Sequence, residues 1–231
     1  MIAIVIPARN EAERIEQCLR AAQVAARHPG LHQEAVLIIV AADSCTDGTA
    51  QLARPVANLV IEGDFGDVGS ARAAAAEQAL HRGARWLANT DADSVVPADW
   101  LAAQLAYGSD AFCGIVGVGD WEDYSASVSE AFQVLTVAAP GHPHVHGANL
   151  GVAADAYVRA GGFQPGAAHE DVSLVKRLAA IGAVIARQPS PRVMTSARRS
   201  SRAREGFSDY LKALEAGLLR SPAAVGPSGT P

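Results

Sequence analysis

Ile2-Ala-Ile-Val-Ile6, halted at once by Pro7-Ala-Arg-Asn-Glu11, decides the fold class. A short β-branched run ended by proline reads as a strand buried on both faces, as in a parallel sheet. After the polar loop, Ile15, Leu19, Ala22 and Ala26 recur at helical spacing over residues 13–27, and Pro29-Gly30 ends the helix. Val36-Leu-Ile-Ile-Val40 is a second buried strand, followed by Asp43-Ser-Cys-Thr-Asp-Gly48 and a helix beginning over 49–54. Leu59-Val-Ile61 then precedes a Gly-Asp loop at 63–69 and an Ala-rich helix over 70–82. Trp86-Leu-Ala88 runs into Thr90-Asp-Ala-Asp93. Strand and helix thus alternate through the first half, which predicts a mostly parallel sheet with right-handed crossovers.

The second half is less regular. Helices are expected over 97–107, 127–138 and 171–181, the last closed by Gly182, with strands at 115–118 and 184–186. A Gly/Pro/His loop leads into Gly147-Ala-Asn-Leu-Gly-Val-Ala153. Residues from Pro222 onward are rich in Pro, Gly, Ser and Ala and read as a disordered tail. With 231 residues, 49% hydrophobic and 19% charged, the chain is long enough for one large domain with a substantial core. A net charge of −5 gives no basic surface for nucleic acid, so no nucleic-acid partner is expected. Cys18, Cys45 and Cys113 are scattered without a CxxC pair, which argues against a zinc site and suits a reducing cytoplasm. Pro7 cuts the first apolar run too early for a secretory signal, and no run approaches the roughly 20 residues that span a bilayer. A cytoplasmic protein is expected.

In an open parallel sheet, ligands bind beyond the carboxyl ends of the strands. Four such ends here are polar or acidic: Arg9-Asn10-Glu11, Asp43, Asp64-Phe-Gly-Asp67 and Asp91-Ala-Asp93. Asp and Asn also cap helices, so one such loop would mean little. Several on one rim repel each other unless a cation or a donor-rich ligand joins them. Asp91 and Asp93 continue the fourth strand at i and i+2, which a strand holds on one side, so both carboxylates are expected to face one point. Hard oxygen donors of this kind suit Mn²⁺ or Mg²⁺, which binds substrate phosphates as well.

The motifs together resemble family-2 glycosyltransferases. Ile4-Val-Ile-Pro7-Ala-Arg-Asn10-Glu11 is similar to the family's opening, and Asp43-Ser-Cys-Thr-Asp47-Gly-Thr49 follows in its order. Gly69-Ser-Ala-Arg72 and Thr90-Asp-Ala-Asp93 continue the pattern. Gly147-Ala-Asn149-Leu-Gly-Val-Ala, Gly161-Gly-Phe163 and Glu170-Asp171-Val-Ser-Leu174 resemble the acceptor half. The resemblance covers residues 2–200. It implies a GT-A-type, Rossmann-like mixed sheet, mostly parallel, with helices on both faces, forming a single domain over 1–220. Residues 1–95 would be the nucleotide-sugar half and 96–220 the acceptor-binding half.

It also implies roles. Pro7, Ala8, Arg9 and Glu11 would lie along the nucleotide, with Asp43 accepting a hydrogen bond from the base. Arg72 would sit near the base or the diphosphate. Asp91 and Ala92 would lie on the ribose side, and Asp93, with Asp91, would hold Mn²⁺ or Mg²⁺. Gly147, Asn149 and Glu170 would face the acceptor, and Asp171 would be the general base of an inverting transfer. The expected partners are a nucleoside-diphosphate sugar, UDP first and GDP second, and a hydroxyl acceptor in solution or at a membrane surface.

Other features have plainer readings beside functional ones. Pro7 also ends a strand, Glu11 suits a helix N-terminus, and so does the pair Glu170-Asp171. His142, His144 and His146 alternate in a loop that reads as solvated, with His146 the one placed to face a site. Some related retaining enzymes supply a metal-binding histidine after the acidic pair, but Val193-Met-Thr-Ser-Ala-Arg198-Arg199 has none. Arg198 and Arg199, near Arg202 and Arg204, could close over a diphosphate, since a guanidinium fork matches phosphate oxygens. Trp121 and Tyr124 could stack on a sugar, with core packing the default. The Gln-x-x-Arg-Trp motif of processive synthases is missing, so addition of one sugar is expected. No GxGxxG follows the first strand, which removes a nicotinamide dehydrogenase. A non-catalytic sugar-nucleotide-binding protein is the alternative.

Overall fold

A computed structural model of the chain describes residues 1–166, 168–200 and 206–220; the expected tail and Arg202 and Arg204 lie outside the described residues. The first half follows the alternation read from the sequence. β1 (Ile2–Ala8), β2 (Val36–Asp43), β3 (Leu59–Gly63) and β4 (Trp86–Asn89) are joined through α1 (Ile15–Ala26), α2 (Thr49–Ala53) and α3 (Val68–His81). All four strands are parallel to their neighbours among them. After α4 (Trp100–Ala106) come β5 (Ala111–Cys113), β6 (Val116–Val118), α5 (Ala126–Leu135), β7 (Leu150–Ala153) and α6 (Ala154–Arg159). α7 (Glu170–Ala180), β8 (Ile185–Arg187), β9 (Val193–Thr195) and α8 (Phe207–Arg220) complete the order.

The main sheet runs β3-β2-β1-β4-β7-β5-β8, and β7 alone is antiparallel to its neighbours, β4 and β5. Alternation along β1 sets the two layers. Ile2, Ile4 and Ile6 pack on one face with Ile15 and Leu19 of α1 and Trp100 of α4. Ala3 and Val5 face α3, through Ala71, Ala75 and Ala79, and α7, through Leu174 and Leu178. The small side chains of α3 let that helix lie close to the sheet. Pro7 fits a central strand because pairing of β1 with β4 stops at Val5 and Asn89, leaving its missing N–H beyond that ladder.

β6 and β9 form a separate two-stranded ribbon. Val95, next to the 91–93 turn, bridges to Met194 of β9, with Val95 N–H donating to Met194 O at 2.7 Å. A third apolar cluster lies under α5 and α8, built from Tyr124, Val128, Phe132, Ala197 and Leu211.

Candidate active site

The four strand ends do form one rim, and their loops lock together before any ligand is considered. Asn10 takes a left-handed conformation (φ 54°), and its Oδ1 accepts from Thr46 N–H at 2.8 Å. Glu11 N–H donates to Thr49 Oγ1 at 2.7 Å, and Ala12 N–H to Asp47 Oδ2 at 3.1 Å. Asp47 and Thr49 therefore fix the loop after β1 against the loop after β2. Asp43 is buried, and its Oδ1 accepts from Phe65 N–H (2.8 Å) and Gly66 N–H (3.1 Å). Its Oδ2 lies 3.4 Å from the half-exposed Arg9. One oxygen of Asp43 is thus spent on the loop, and the other is met among the described residues by Arg9 at long range. Asp67 is a helix cap, accepting from Ser70 N–H at 2.8 Å, so the acidic character of that loop is partly structural.

Asp91-Ala92-Asp93 does not extend β4. The strand ends at Asn89, and Ser94 N–H donates to Asp91 O at 3.0 Å, closing a turn. The i, i+2 argument for a shared face therefore fails, and the two carboxylates find different partners. Asp91 Oδ1 pairs with Arg72 Nη2. Asp93 Oδ1 accepts from Thr195 Oγ1 at 3.3 Å and Ser94 Oγ at 3.4 Å, while its Oδ2 lies 3.2 Å from Arg198 Nη2. Arg198 also forms a fork on Glu11, with 2.6 Å to each carboxylate oxygen. Burial first, and then the charge of Asp91, push the Asp93 carboxyl above the ordinary carboxylate range, against the pull of Arg198.

Arg72 differs from its expected place at the base or diphosphate. It is 1% exposed, its Nε donates to Glu170 Oε1 at 3.2 Å, and its Nη2 holds Asp91. Gly147 is needed there: a Cβ at that position would lie 2.6 Å from Arg72 Nη2. Glu170, expected at the acceptor, is turned inward onto Arg72. Asn149, also expected at the acceptor, is wholly buried: its Nδ2 donates to Ile115 O (2.9 Å) and Pro191 O (2.8 Å), and its Oδ1 accepts from Trp100 Nε1 at 2.9 Å. Gly147, Asn149 and Glu170 are buried, and the side chains of Asn149 and Glu170 have partners within the fold. Asp171 is different. It is half-buried at the start of α7, with Val172 N–H donating to Oδ1 at 2.7 Å. Burial raises its pKa, opposed by that amide and by the charge of Arg72.

The two adjacent arginines part company. Arg199 is bound by Asp123 (2.8 Å) and by Glu215 of α8 (2.6 Å) and covers the Tyr124 ring at 4.0 Å, so it is an anchor for the α5–α8 cluster. Trp121 packs edge-on against Phe132 at 5.3 Å, so both aromatics take the core reading. His142, His144 and His146 line up as a ladder of rings 5.6 and 6.0 Å apart, with His142 Nε2 at 3.0 Å from Gln188 O, and not as a solvated loop. Thr195 and Ser94 are the site residues missed by the sequence reading; a Thr in a three-residue strand, 102 positions from Asp93, carries no local signal.

Among the described residues, no three His, Cys, Asp or Glu side chains are grouped to hold a metal. The donor set nonetheless fits a divalent ion of the Mn²⁺ or Mg²⁺ kind, which takes one or two carboxylates and completes its shell with phosphate and water. Asp93 and Asp91, whose side chain is 39% exposed, could supply those carboxylates.

Residues 3–143 match the model of the family described as Glycosyl transferase family 2. No curated protein sequence matches the chain. Its fold is similar to that of S. aureus TarS 1–349 in complex with UDP-GlcNAc, with TM-score 0.64 and 15% identity over 96% of this chain and 68% of that one. It is also similar to the mannosyltransferase PcManGT from Pyrobaculum calidifontis in complex with GDP-Man and Mn²⁺ (TM-score 0.64, 21% identity, 97% and 65%). A third likeness is to glucosyl-3-phosphoglycerate synthase from Mycobacterium tuberculosis, in complex with Mn²⁺, UDP and glucosyl-3-phosphoglycerate (0.59, 16%, 95% and 79%). The chain spans about two thirds of the length of the first two. At these identities the likeness is one of fold, and the GT-A fold is what they share. No described helix is long and apolar enough to cross a membrane.

Proposed function

The chain belongs to glycosyltransferase family 2, and from that footing we propose that it moves a single sugar from a nucleoside-diphosphate donor to a hydroxyl acceptor, with inversion and with a divalent metal. The observation that carries this reading is the rim of strand ends: Asp43 stands at the end of β2, tied to the Phe65 and Gly66 amides, and Asp93 in the turn after β4, joined through Arg198 to Glu11 after β1. Pro7, Ala8 and Arg9 line the nucleotide, and Asp43 Oδ2 accepts from the base, with UDP first and GDP second. Asp91 and Ala92 lie at the ribose. Asp93, with Asp91, would hold Mn²⁺ or Mg²⁺, which would supply neutralisation of charge on the departing diphosphate.

Asp171 takes the proton from the acceptor hydroxyl as that oxygen attacks the anomeric carbon opposite the leaving group. Its raised pKa suits the task, because a base works best near the operating pH. Arg72, Gly147 and Glu170 position Asp171 and Asp91 and touch neither substrate. Residues 1–95 serve the donor and 96–220 the acceptor. Calorimetry against UDP, GDP and ADP, each with Mn²⁺ and with chelator, tests the reading: metal-dependent binding of one diphosphate supports it, and no binding of any removes it.

A further inference from the structure

Arg198 occupies an unusual position for a residue that only closes over a ligand. Its guanidinium is mostly buried among the carboxylates that a cation would otherwise satisfy: a fork on Glu11 at 2.6 Å to each oxygen, and 3.2 Å to Asp93 Oδ2. Glu11 is 5% exposed, and Arg198 is the partner of both its oxygens. A buried carboxylate left without a counter-ion is costly, so Glu11 and Asp93 require one positive group at all times. A guanidinium supplies it through two parallel hydrogen bonds, a geometry that diphosphate oxygens match equally well. Arg198 is held in place by β9 and its continuation: Val193–Thr195 is bridged to Val95, Thr195 reaches Asp93, and Arg199 is tied to Asp123 and Glu215. The Arg198 guanidinium is thus held at this place by its own ion pairs with Glu11 and Asp93, on a backbone fixed by its neighbours.

We propose that Arg198 and the divalent cation are alternative counter-ions of the same Asp93–Glu11 carboxylates, so that metal enters together with a nucleoside diphosphate and not onto the free protein. Without nucleotide, a cation nearing Asp93 meets a guanidinium 3.2 Å from the oxygen it needs. With nucleotide, the diphosphate offers Arg198 a second anion, and Asp93 is released to the metal. The device makes the protein choose the metal–diphosphate complex over either component. It rests on the reading of Asp93 as the metal ligand, and it predicts an order of binding which that reading leaves open.

The test is Mn²⁺ binding, read from the electron-spin-resonance signal of free Mn²⁺ with no acceptor and no turnover. The parent protein should bind Mn²⁺ poorly alone and well in the presence of UDP or GDP. Arg198→Ala should bind Mn²⁺ without nucleotide at least about tenfold more tightly than the parent. Arg198→Lys, with its charge kept and its fork lost, should fall between them. Adding Asp93→Ala to Arg198→Ala should abolish the gain. If the parent binds Mn²⁺ alone as tightly as with nucleotide, the inference is overturned, and this arm needs no variant to fold. Equal nucleotide-free affinity in parent and Arg198→Ala would overturn it too. If the parent binds no diphosphate under any condition, the proposed function falls and the coupled entry of metal falls with it, whereas diphosphate binding with equal nucleotide-free Mn²⁺ affinity in parent and Arg198→Ala overturns this inference alone.

Discussion

Arg72 Nε lies 3.2 Å from Glu170 Oε1, with both side chains buried and 98 positions apart in sequence. The same guanidinium holds Asp91, so one charge joins α3, α7 and the turn after β4. Breaking a buried pair by removing one partner costs about 3–5 kcal/mol, because the remaining charge is stranded. Arg72→Met should lower stability by that amount in urea denaturation. Arg72→Met with Glu170→Met should recover most of it, since two apolar side chains replace the pair and Asp91 can hydrate. A loss under about 1 kcal/mol in the single variant, the range of surface pairs, would show that the strut is not structural.

Asn149 makes a second sharp case. Asn149→Ala strips partners from the Trp100 indole N–H and from the carbonyls of Ile115 and Pro191. At roughly 1–3 kcal/mol for each buried group left unsatisfied, the loss should be at least about 3 kcal/mol. An acceptor-binding asparagine would behave differently, with KM for the acceptor rising and the melting temperature unchanged.

The histidine ladder should make the protein acid-sensitive. Burial, and then the neighbouring His144 and His142, depress the His146 pKa from 6.5 to about 4. Between those values the unfolded chain binds a proton that the folded one refuses, so stability is complete above pH 6.5 and falls as the pH drops toward 4. At about 1.4 kcal/mol per pKa unit, the loss by pH 5 is about 2 kcal/mol. Denaturant melts at pH 7 and pH 5 on the parent and on His146→Gln should differ by that amount in their pH dependence. The same loss in both would exclude His146 as its source.

The first half is legible because its strands are short apolar runs, its first helix carries 3–4 spacing and its third is rich in alanine. β5, β7 and β9, of three or four residues, are too short for any period to emerge and are not expected from the sequence, although the equally short β6 and β8 are. α8 carries Phe207, Leu211, Leu214 and Leu218 at helical spacing on one stripe, a period present in the sequence beside a Pro/Gly/Ser-rich end. Which residues cluster at the rim was also readable, since strand ends share an edge in any parallel sheet. What each side chain does there was not. Arg72, Asn149 and Glu170 sit in motifs that a sequence reader assigns to ligands, yet their partners lie in other elements, far along the chain. Turn geometry after β4 likewise depends on Ser94 closing onto Asp91, which no strand pattern encodes.

Asp171 should matter for transfer and not for donor binding. Asp171→Asn keeps the side chain's shape and its oxygen for Val172 N–H while removing the proton acceptor. A base acts in the transition state, so kcat should fall by about 10²–10⁴ with the donor Kd little changed. A helix-terminal carboxylate with no chemistry would give a loss of about 0.3–1 kcal/mol in stability and near-parental turnover.

The most direct test of the account is the metal dependence of nucleoside-diphosphate binding at Asp93. Isothermal calorimetry of UDP and GDP against the parent and Asp93→Ala, each in Mn²⁺ and in chelator, gives four affinities for each nucleotide. The account predicts tight binding of one nucleotide by the parent in Mn²⁺, and weak, metal-independent binding in the other three cells. Equal affinity in all four would contradict it.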